Sequence, residues 1–469
     1  MLEKDLSKPA PTKLKIVKQK NDNRKNRSEI HSYFKLSIFT QFYPPDYAAT
    51  GQLIEELAIQ LGKLGINVKV FTGQPGYAFK KDSAPLKERL DKLIIRRSRT
   101  ARLWNSRIRG KAINGILFCV RSGLHLLKAA GRGDILLITT APPFLQVLGY
   151  LANRCFGTPY ICLIYDLYPD VAVELKVVSA KNWLVQSWNW LNKKIWRQSQ
   201  GIVVLSSTMQ ERVQAKCPEV RDKISVIHNW ANPNWIVPLA KEDNWFAQKH
   251  GLVDKFTVMY SGNMGRCHEM DTIMSAAKQL QHEDIQFVFI GGGAKQQICV
   301  KQVSELNLPN CRFLPYQEKH VLPHSLTACD LALVSISAGM EGLVAPSKLY
   351  GILAAGRPVA AICEPHSYLK SLLSEANCGV TFNNGDSIGL AKFIRHLAQN
   401  RELATNMGTA GRQYLESNFT PEIIALEYSK LLCNAASGQK QPSNTAKEVN
   451  SAIDLTYITE IPKKEDIER

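Results

Sequence analysis

The chain has 469 residues, 45% hydrophobic and 21% charged, a globular composition at a length that suits two domains of about 200 residues with tails. That excludes disordered, collagenous and disulfide-stapled chains; the eleven cysteines are scattered from Cys119 to Cys433 without a CxxC or Cys/His pairing, as expected of small buried hydrophobes in a reduced, cytoplasmic compartment without structural zinc. The 59 basic against 41 acidic residues give +18, and such an excess points to a polyanionic neighbour: nucleic acid, a phosphorylated substrate or an anionic membrane surface.

Residues 1–32 carry Lys and Arg throughout without an apolar stretch, and are expected to be a flexible basic arm, not a secretion signal. Ordered structure is expected from residue 33. A strand at Leu36 to Thr40 leads into a loop, Gln41 to Gly51, that contains Pro44 and Pro45. A helix follows, on which Leu53, Leu57, Leu61 and Leu64 recur at helical spacing until Gly65 stops it; Ile66, Val68 and Val70 then alternate as a strand does. From Lys80 to Arg132, fifteen Lys/Arg stand against Asp82, Glu88 and Asp91, so +12 of the excess lies here. A solvated face with a loop and an anion-binding surface both fit that stretch. Strands are expected at Asp134 to Thr140, Tyr160 to Tyr165, Gly201 to Leu205 and Ile224 to Ile227, with helices between them, the rhythm of a parallel sheet.

Asn229 to Asp254, rich in Asn, Pro and Trp, reads as a hinge between a first domain at 33–228 and a second at 255–434. The second series has strands at Phe256 to Ser261, Ile285 to Ile290, Arg312 to Pro315, Leu331 to Ile336, Pro358 to Cys363 and Val380 to Phe382. Both halves therefore read as doubly wound α/β units, which bind ligands at the carboxyl ends of their strands. Residues 435–469 are polar and are expected to form a disordered tail. No apolar run reaches the roughly 18 to 20 residues of a membrane-spanning helix.

Four strand-to-loop junctions carry the candidate chemistry. Gln41 to Gly51 ends at a helix N-terminus, which favours an anion; a glycine that only makes the corner is the plain alternative. Ser261-Gly-Asn-Met-Gly265 has two glycines that let backbone approach a ligand, with Arg266 beside it to pair phosphate oxygens. Gly291 to Gly293 lacks the spaced GxGxxG fingerprint, which disfavours a dehydrogenase. Gly339 to Val359 is a glycine-bearing loop running into a short helix with Ser347 and Lys348 at its start. A lysine there would stabilise the charge gathering on a departing diphosphate. Asp166, Tyr168 and Asp170 follow a strand end, where a carboxylate could orient or deprotonate an attacking hydroxyl; a turn rich in Asp and Pro is the other reading.

With Phe42-Tyr-Pro-Pro-Asp-Tyr-Ala-Ala-Thr-Gly51, Asp166-Leu-Tyr-Pro-Asp170, Tyr260-Ser-Gly-Asn-Met-Gly265, Pro346-Ser-Lys-Leu-Tyr350 and Ala354-Ala-Gly-Arg-Pro-Val359, the chain resembles the retaining GT-B glycosyltransferases of family 4, in particular those that build exopolysaccharides such as colanic acid. The likeness covers about Leu36 to Asn434. It implies two Rossmann-like, doubly wound domains facing across a cleft. It also implies a nucleotide-sugar donor held mainly by the second domain, a glycan or lipid-linked acceptor held mainly by the first, and chemistry without a required metal or other cofactor. On that reading Gly51, Gly262, Asn263, Gly265, Arg266, Ser347 and Lys348 contact the donor, and Tyr168 and Asp170 the acceptor. Asp166, Glu341 and Lys348 act in catalysis. The family has two glutamates eight positions apart; here those positions are Leu343 and Gly351, with Glu341 two residues from the first.

Trp183, Trp188, Trp190 and Trp196 lie among Lys181, Lys193, Lys194 and Arg197, a mixture that suits a membrane interface and equally a packed core. With the +12 stretch it points to peripheral attachment at an anionic cytoplasmic leaflet. Two other functions are carried as alternatives: a nucleotide-sugar 2-epimerase, and a non-catalytic scaffold. Nucleic-acid binding is not expected, because aromatic-basic RNA motifs are absent.

Overall fold

The computed structural model describes residues 34–46, 48–75, 84–99 and 108–437. The basic arm expected at 1–32 lies outside the described residues, and so do 438–469 of the expected tail; 435–437 complete a helix and its turn.

The first α/β unit runs β1 (Lys35–Phe39), α1 (Ala49–Lys63), β2 (Asn67–Thr72), β3 (Lys87–Leu90), β4 (Leu93–Arg97), α2 (Ile108–Leu126), β5 (Ile135–Thr139), α3 (Val147–Phe156), β6 (Tyr160–Ile164), α4 (Trp183–Gln198), β7 (Gly201–Val204), α5 (Ser207–Lys216) and β8 (Ile224–Val226). Its strands lie in the order β3-β4-β2-β1-β5-β6-β7-β8. All pairs are parallel except β3 with β4. Ile135–Thr139 and Tyr160–Ile164 are buried at every position, two-sided apolar runs that need helices on both faces of the sheet. Right-handed crossovers put α1 on one face and α2, α3 and α4 on the other, and α3 packs between α2 and α4.

The β3–β4 hairpin lies within the basic stretch, of which residues 80–83 and 100–107 lie outside the described residues. Lys87, Glu88 and Arg89 make an exposed edge strand, where charge is common and protects the edge; that charge masks the strand in the sequence.

The second unit runs β9 (Phe256–Asn263), β10 (Ile285–Gly292), β11 (Cys311–Leu314), β12 (Leu331–Ser335), α6 (Lys348–Ala354), β13 (Val359–Ile362) and β14 (Gly379–Phe382), with further helices between them. The six strands are parallel, in the order β11-β10-β9-β12-β13-β14. The last helix, α7 (Pro421–Ala436), starts with Pro421 behind Thr420, whose hydroxyl accepts from the Ile423 amide. Although α7 ends the second series in sequence, it packs on α1 and reaches β5 and β6. Its buried Ile424, Tyr428 and Leu432 announce a helix but not which sheet it covers.

One hydrophobic cluster is continuous across both units, through Trp230 and Ile236 of the connection and Leu349 and Leu353 of α6. The connecting segment, expected as a hinge, is fastened to the second unit. Arg412 donates to the carbonyls of Ile236 (2.9 Å) and Pro233 (3.1 Å), Arg357 donates to Leu239 (2.6 Å), and buried Lys241 pairs with Asp330 at 2.7 Å.

Candidate functional site

The carboxyl end of β9 turns through Ser261-Gly-Asn-Met-Gly265, where Gly262 has φ +124°, backbone space that glycine enters without strain. Lys348 lies against it: a Cβ on Gly262 would stand 3.6 Å from Lys348 Cε and 3.7 Å from Nζ. Lys348 is the first residue of α6 and Ser347 its N-cap, whose side chain bonds to no helix amide. The Lys348 ammonium is sealed from solvent without a hydrogen-bond partner, 3.6 Å from the centroid of the Tyr260 ring. Burial brings its pKa down to about 7. Buried cations are ordinarily paired; the aromatic face supplies a partial substitute.

Beside it, burial and next the Lys348 charge hold His268 at about 3. The imidazole is therefore neutral, and its Nδ1 accepts from the Gly265 amide at 3.1 Å. Met264 N donates to Gly292 O at 2.6 Å, tying this loop to the glycines after β10. Asn263 and Arg266 are exposed at its rim and Gly265 is buried. Nothing in the sequence pattern singles out His268.

The loop after β12 joins the two units. Ser337 N donates to Cys267 O (2.9 Å), Gly339 N to Glu364 Oε2 (3.0 Å), and Leu167 N of the first unit to Leu343 O (2.9 Å). Glu341, expected to face the sugar, is fully buried. Its Oε1 accepts from the Thr208 hydroxyl of α5 at 2.7 Å, and its carbonyl accepts from Arg212 Nε at 3.1 Å. Its Oε2 is buried without a partner. Thr208 sits two residues after Ser206, which caps α5. At Gly351 a Cβ would stand 3.4 Å from Leu326 Cδ1 and 3.9 Å from Ile236 Cδ1, so a side chain would leave α6 between two aliphatic groups, and α6 holds no carboxylate.

In the first unit, the Thr140 hydroxyl accepts from the amides of Tyr165 (3.0 Å) and Asp166 (3.3 Å), fixing the end of β6. Burial alone pushes Asp166 up to about 6. Burial, and next the Asp166 charge, push Cys267 of the second unit up to about 11. The Tyr168 ring stacks on Trp188 with centroids 6.1 Å apart. Asp170, expected to contact the acceptor, is ion-paired with Lys216 of α5, which also donates to Asn189 at 2.7 Å. A Cβ on Gly51 would come within 3.0 Å of the backbone of Phe42 and Tyr43, so the bare glycine lets α1 close on the loop. Arg97, hidden in the charge run, holds the same loop by donating to Pro44 O at 2.7 Å and to Pro85 O at 2.8 Å.

Trp196 is buried and Trp188 stacks on Phe144 at 4.2 Å, whereas Trp183 and Trp190 are exposed. Among the described residues no three His, Cys, Asp or Glu gather as a metal site.

Residues 50–235 match the family described as Glycosyltransferase Family 4, and residues 242–414 the family described as Glycosyl transferases group 1. WbjE of Pseudomonas aeruginosa, named a probable glycosyltransferase, is 29% identical over 325 residues, 69% of this chain and 78% of that protein. WcaI of Escherichia coli, provisionally named a colanic acid biosynthesis glycosyl transferase, is 32% identical over 119 residues, 25% of this chain and 29% of its own. Among solved structures, sucrose-phosphate synthase of Thermosynechococcus elongatus superposes with TM-score 0.68 at 17% identity, over 87% of this chain and all of that one. Anabaena HepE with UDP and glucose gives 0.64 at 14% identity, over 85% and 99%. WaaG, involved in lipopolysaccharide biosynthesis, gives 0.62 at 13%, over 86% and 100%. The first part of the chain thus matches the family 4 glycosyltransferase model and the second the group 1 model, and the two parallel-sheet units have the architecture of the GT-B fold.

Proposed function

We propose that this protein transfers a sugar from a nucleoside-diphosphate donor to a glycan or lipid-linked acceptor with retention of anomeric configuration, in exopolysaccharide or other cell-surface polysaccharide synthesis. The reaction needs no metal and takes place at the anionic cytoplasmic face of a membrane. The observation that carries this reading is the sealed, unpartnered Lys348 ammonium beside the Gly262 turn. A diphosphate is the chemical group that answers both the missing counter-charge and the open backbone. The UDP and glucose in the HepE structure support the same donor class.

In this reading the second unit holds the donor. Lys348, Ser347 and the backbone of Gly262, Asn263 and Gly265 grip the diphosphate, with Arg266 at the rim and the Gly51 loop closing from the first unit. Glu341 Oε2 takes a sugar hydroxyl while Oε1 stays on Thr208. Tyr168 lines the acceptor side. As the bond from the anomeric carbon to the diphosphate breaks, a bond from the acceptor hydroxyl forms on the same face, and Asp166, ionised above about pH 6, takes the hydroxyl proton. The rate enhancement comes from positioning and from stabilising the leaving group, with no protein nucleophile. Two glycosyltransferase domain matches do not favour the epimerase or the scaffold.

The test is a thermal-shift titration with UDP, GDP, ADP and CMP, with and without magnesium, repeated on Lys348→Ala. One diphosphate is expected to raise the melting temperature without metal, and the variant to lose most of the rise. No shift with any diphosphate at millimolar concentration would sink the reading.

A further inference from the structure

Helix α2 is apolar on two opposite sides. Phe118 and Leu126 are buried toward the sheet, and Gly123 lies against Leu148 of α3, where a Cβ would stand 3.6 Å from its Cδ2. On the other side Ile113, Ile116, Val120, Leu124 and, just past the helix, Leu127 are 37% to 63% exposed. At 3.6 residues per turn these five fall within an arc of roughly 80°. A helix on the surface of a globular protein normally shows water a polar side, and a contiguous exposed apolar patch marks an interaction surface. The neighbouring helices continue it: Leu151 and Phe156 on α3 and Trp183, Leu184 and Trp190 on α4 are exposed, Trp183 at 71%.

The charge around this face has one sign. None of α2, α3 and α4 contains Asp or Glu, and between Asp91 and Glu211 the acids are Asp134, Asp166, Asp170 and Glu174 alone. Asp170 is neutralised by Lys216. Arg121, Lys128, Arg154 and Lys194 are exposed along the patch, and Lys194 Nζ sits 3.8 Å from the Trp190 ring centroid, a cation carried on an aromatic body.

We infer that the α2–α3–α4 face is the surface by which the protein lies on an anionic lipid bilayer. Its aliphatic and tryptophan side chains enter the boundary between headgroups and acyl chains, and the surrounding Arg and Lys meet the anionic headgroups. Among the described residues no helix is long and apolar enough to cross a membrane, so the contact is lateral. A second copy of the chain is the poorer occupant: a two-fold contact through this face sets its basic rim, with Arg121, Arg154 and Lys194, against the same basic rim of the copy. The inference deepens the transferase reading by naming where a lipid-borne acceptor is met.

The experiment is co-sedimentation of the full chain with phosphatidylcholine vesicles, with and without phosphatidylglycerol. The wild type is expected to sediment with the phosphatidylglycerol vesicles and poorly with the neutral ones. Two exposed double variants, Val120→Ser with Leu124→Ser and Arg121→Glu with Arg154→Glu, should each weaken binding about tenfold or more. Both should keep the wild-type melting temperature and the wild-type response to a diphosphate. Absence of wild-type binding, equal binding by both variants, or a wild-type dimer that the variants dissolve would overturn the inference. Loss of the diphosphate response in the wild type would sink the transferase reading and leave the vesicle result standing.

Discussion

Replacing Lys348 by Met keeps the length of the side chain and removes its charge, and should move stability and ligand affinity in opposite directions. Burial takes the amine from 10.5 to about 7. At about 1.4 kcal/mol per pH unit this is ~5 kcal/mol of desolvation set against the ligand-free fold, and the Tyr260 face offsets ~2 of it. The ligand-free variant should therefore be more stable than wild type by ~3 kcal/mol near pH 6. A lysine whose pKa is depressed by folding weakens the fold fully below its folded value, and the effect fades as pH rises toward the unfolded one, because over that window the unfolded state binds more protons. The gap should accordingly shrink between about pH 7 and about pH 10. Diphosphate affinity should meanwhile fall about a hundredfold, the loss of a buried charge-assisted contact. Urea unfolding at the two pH extremes and calorimetric titration with the stabilising diphosphate measure both. A variant that is less stable than wild type at pH 6, or that binds the diphosphate as tightly, would refute the reasoning.

Diphosphate affinity of the wild type should be flat below about pH 7 and weaken above it, by up to about tenfold per pH unit, because the bound state requires the protonated amine; calorimetry across that range reads it. Thr208→Val leaves both oxygens of buried Glu341 without a donor and should cost ~1–3 kcal/mol of stability, whereas Thr208→Ser should stay near wild type; denaturant midpoints distinguish them. Asp166→Asn should reduce transfer by about 10²-fold or more with diphosphate binding retained, and should remove a rise in wild-type activity through about pH 6; initial rates against pH check both.

Most of the fold was legible because β-strands buried on both faces, such as Ile135–Thr139 and Leu331–Ser335, are apolar up to their last residue, and because helices with one buried stripe lie between them. The hairpin at 87–97 was not legible, since an edge strand is free to be charged. The destination of α7 was not either, because a buried stripe carries no address. Of the candidate site, the residues that depend on local chain geometry can be singled out in sequence: Gly262 at the end of a strand and Ser347-Lys348 at the start of a helix. Contacts with a partner far along the chain cannot. Thr208 meets Glu341 across 133 positions, His268 is notable only for its neighbour Lys348, and Asp170 is claimed by Lys216, 46 positions away.

Because α7 returns to the first unit, the polypeptide passes between the two units twice, once at the segment that begins near Asn229 and again after Phe419. These passages are not far apart: Ala231 N donates to Phe419 O at 3.3 Å. Two bodies joined by one thread can swing and twist in every direction. Joined by two strands lying side by side, they keep chiefly a rotation about the line through that junction, as a door keeps its pivot. Any separation of the Asp166 and Lys348 loops, which the proposed exchange of donor for product requires, is then confined to one arc that returns them to the same register.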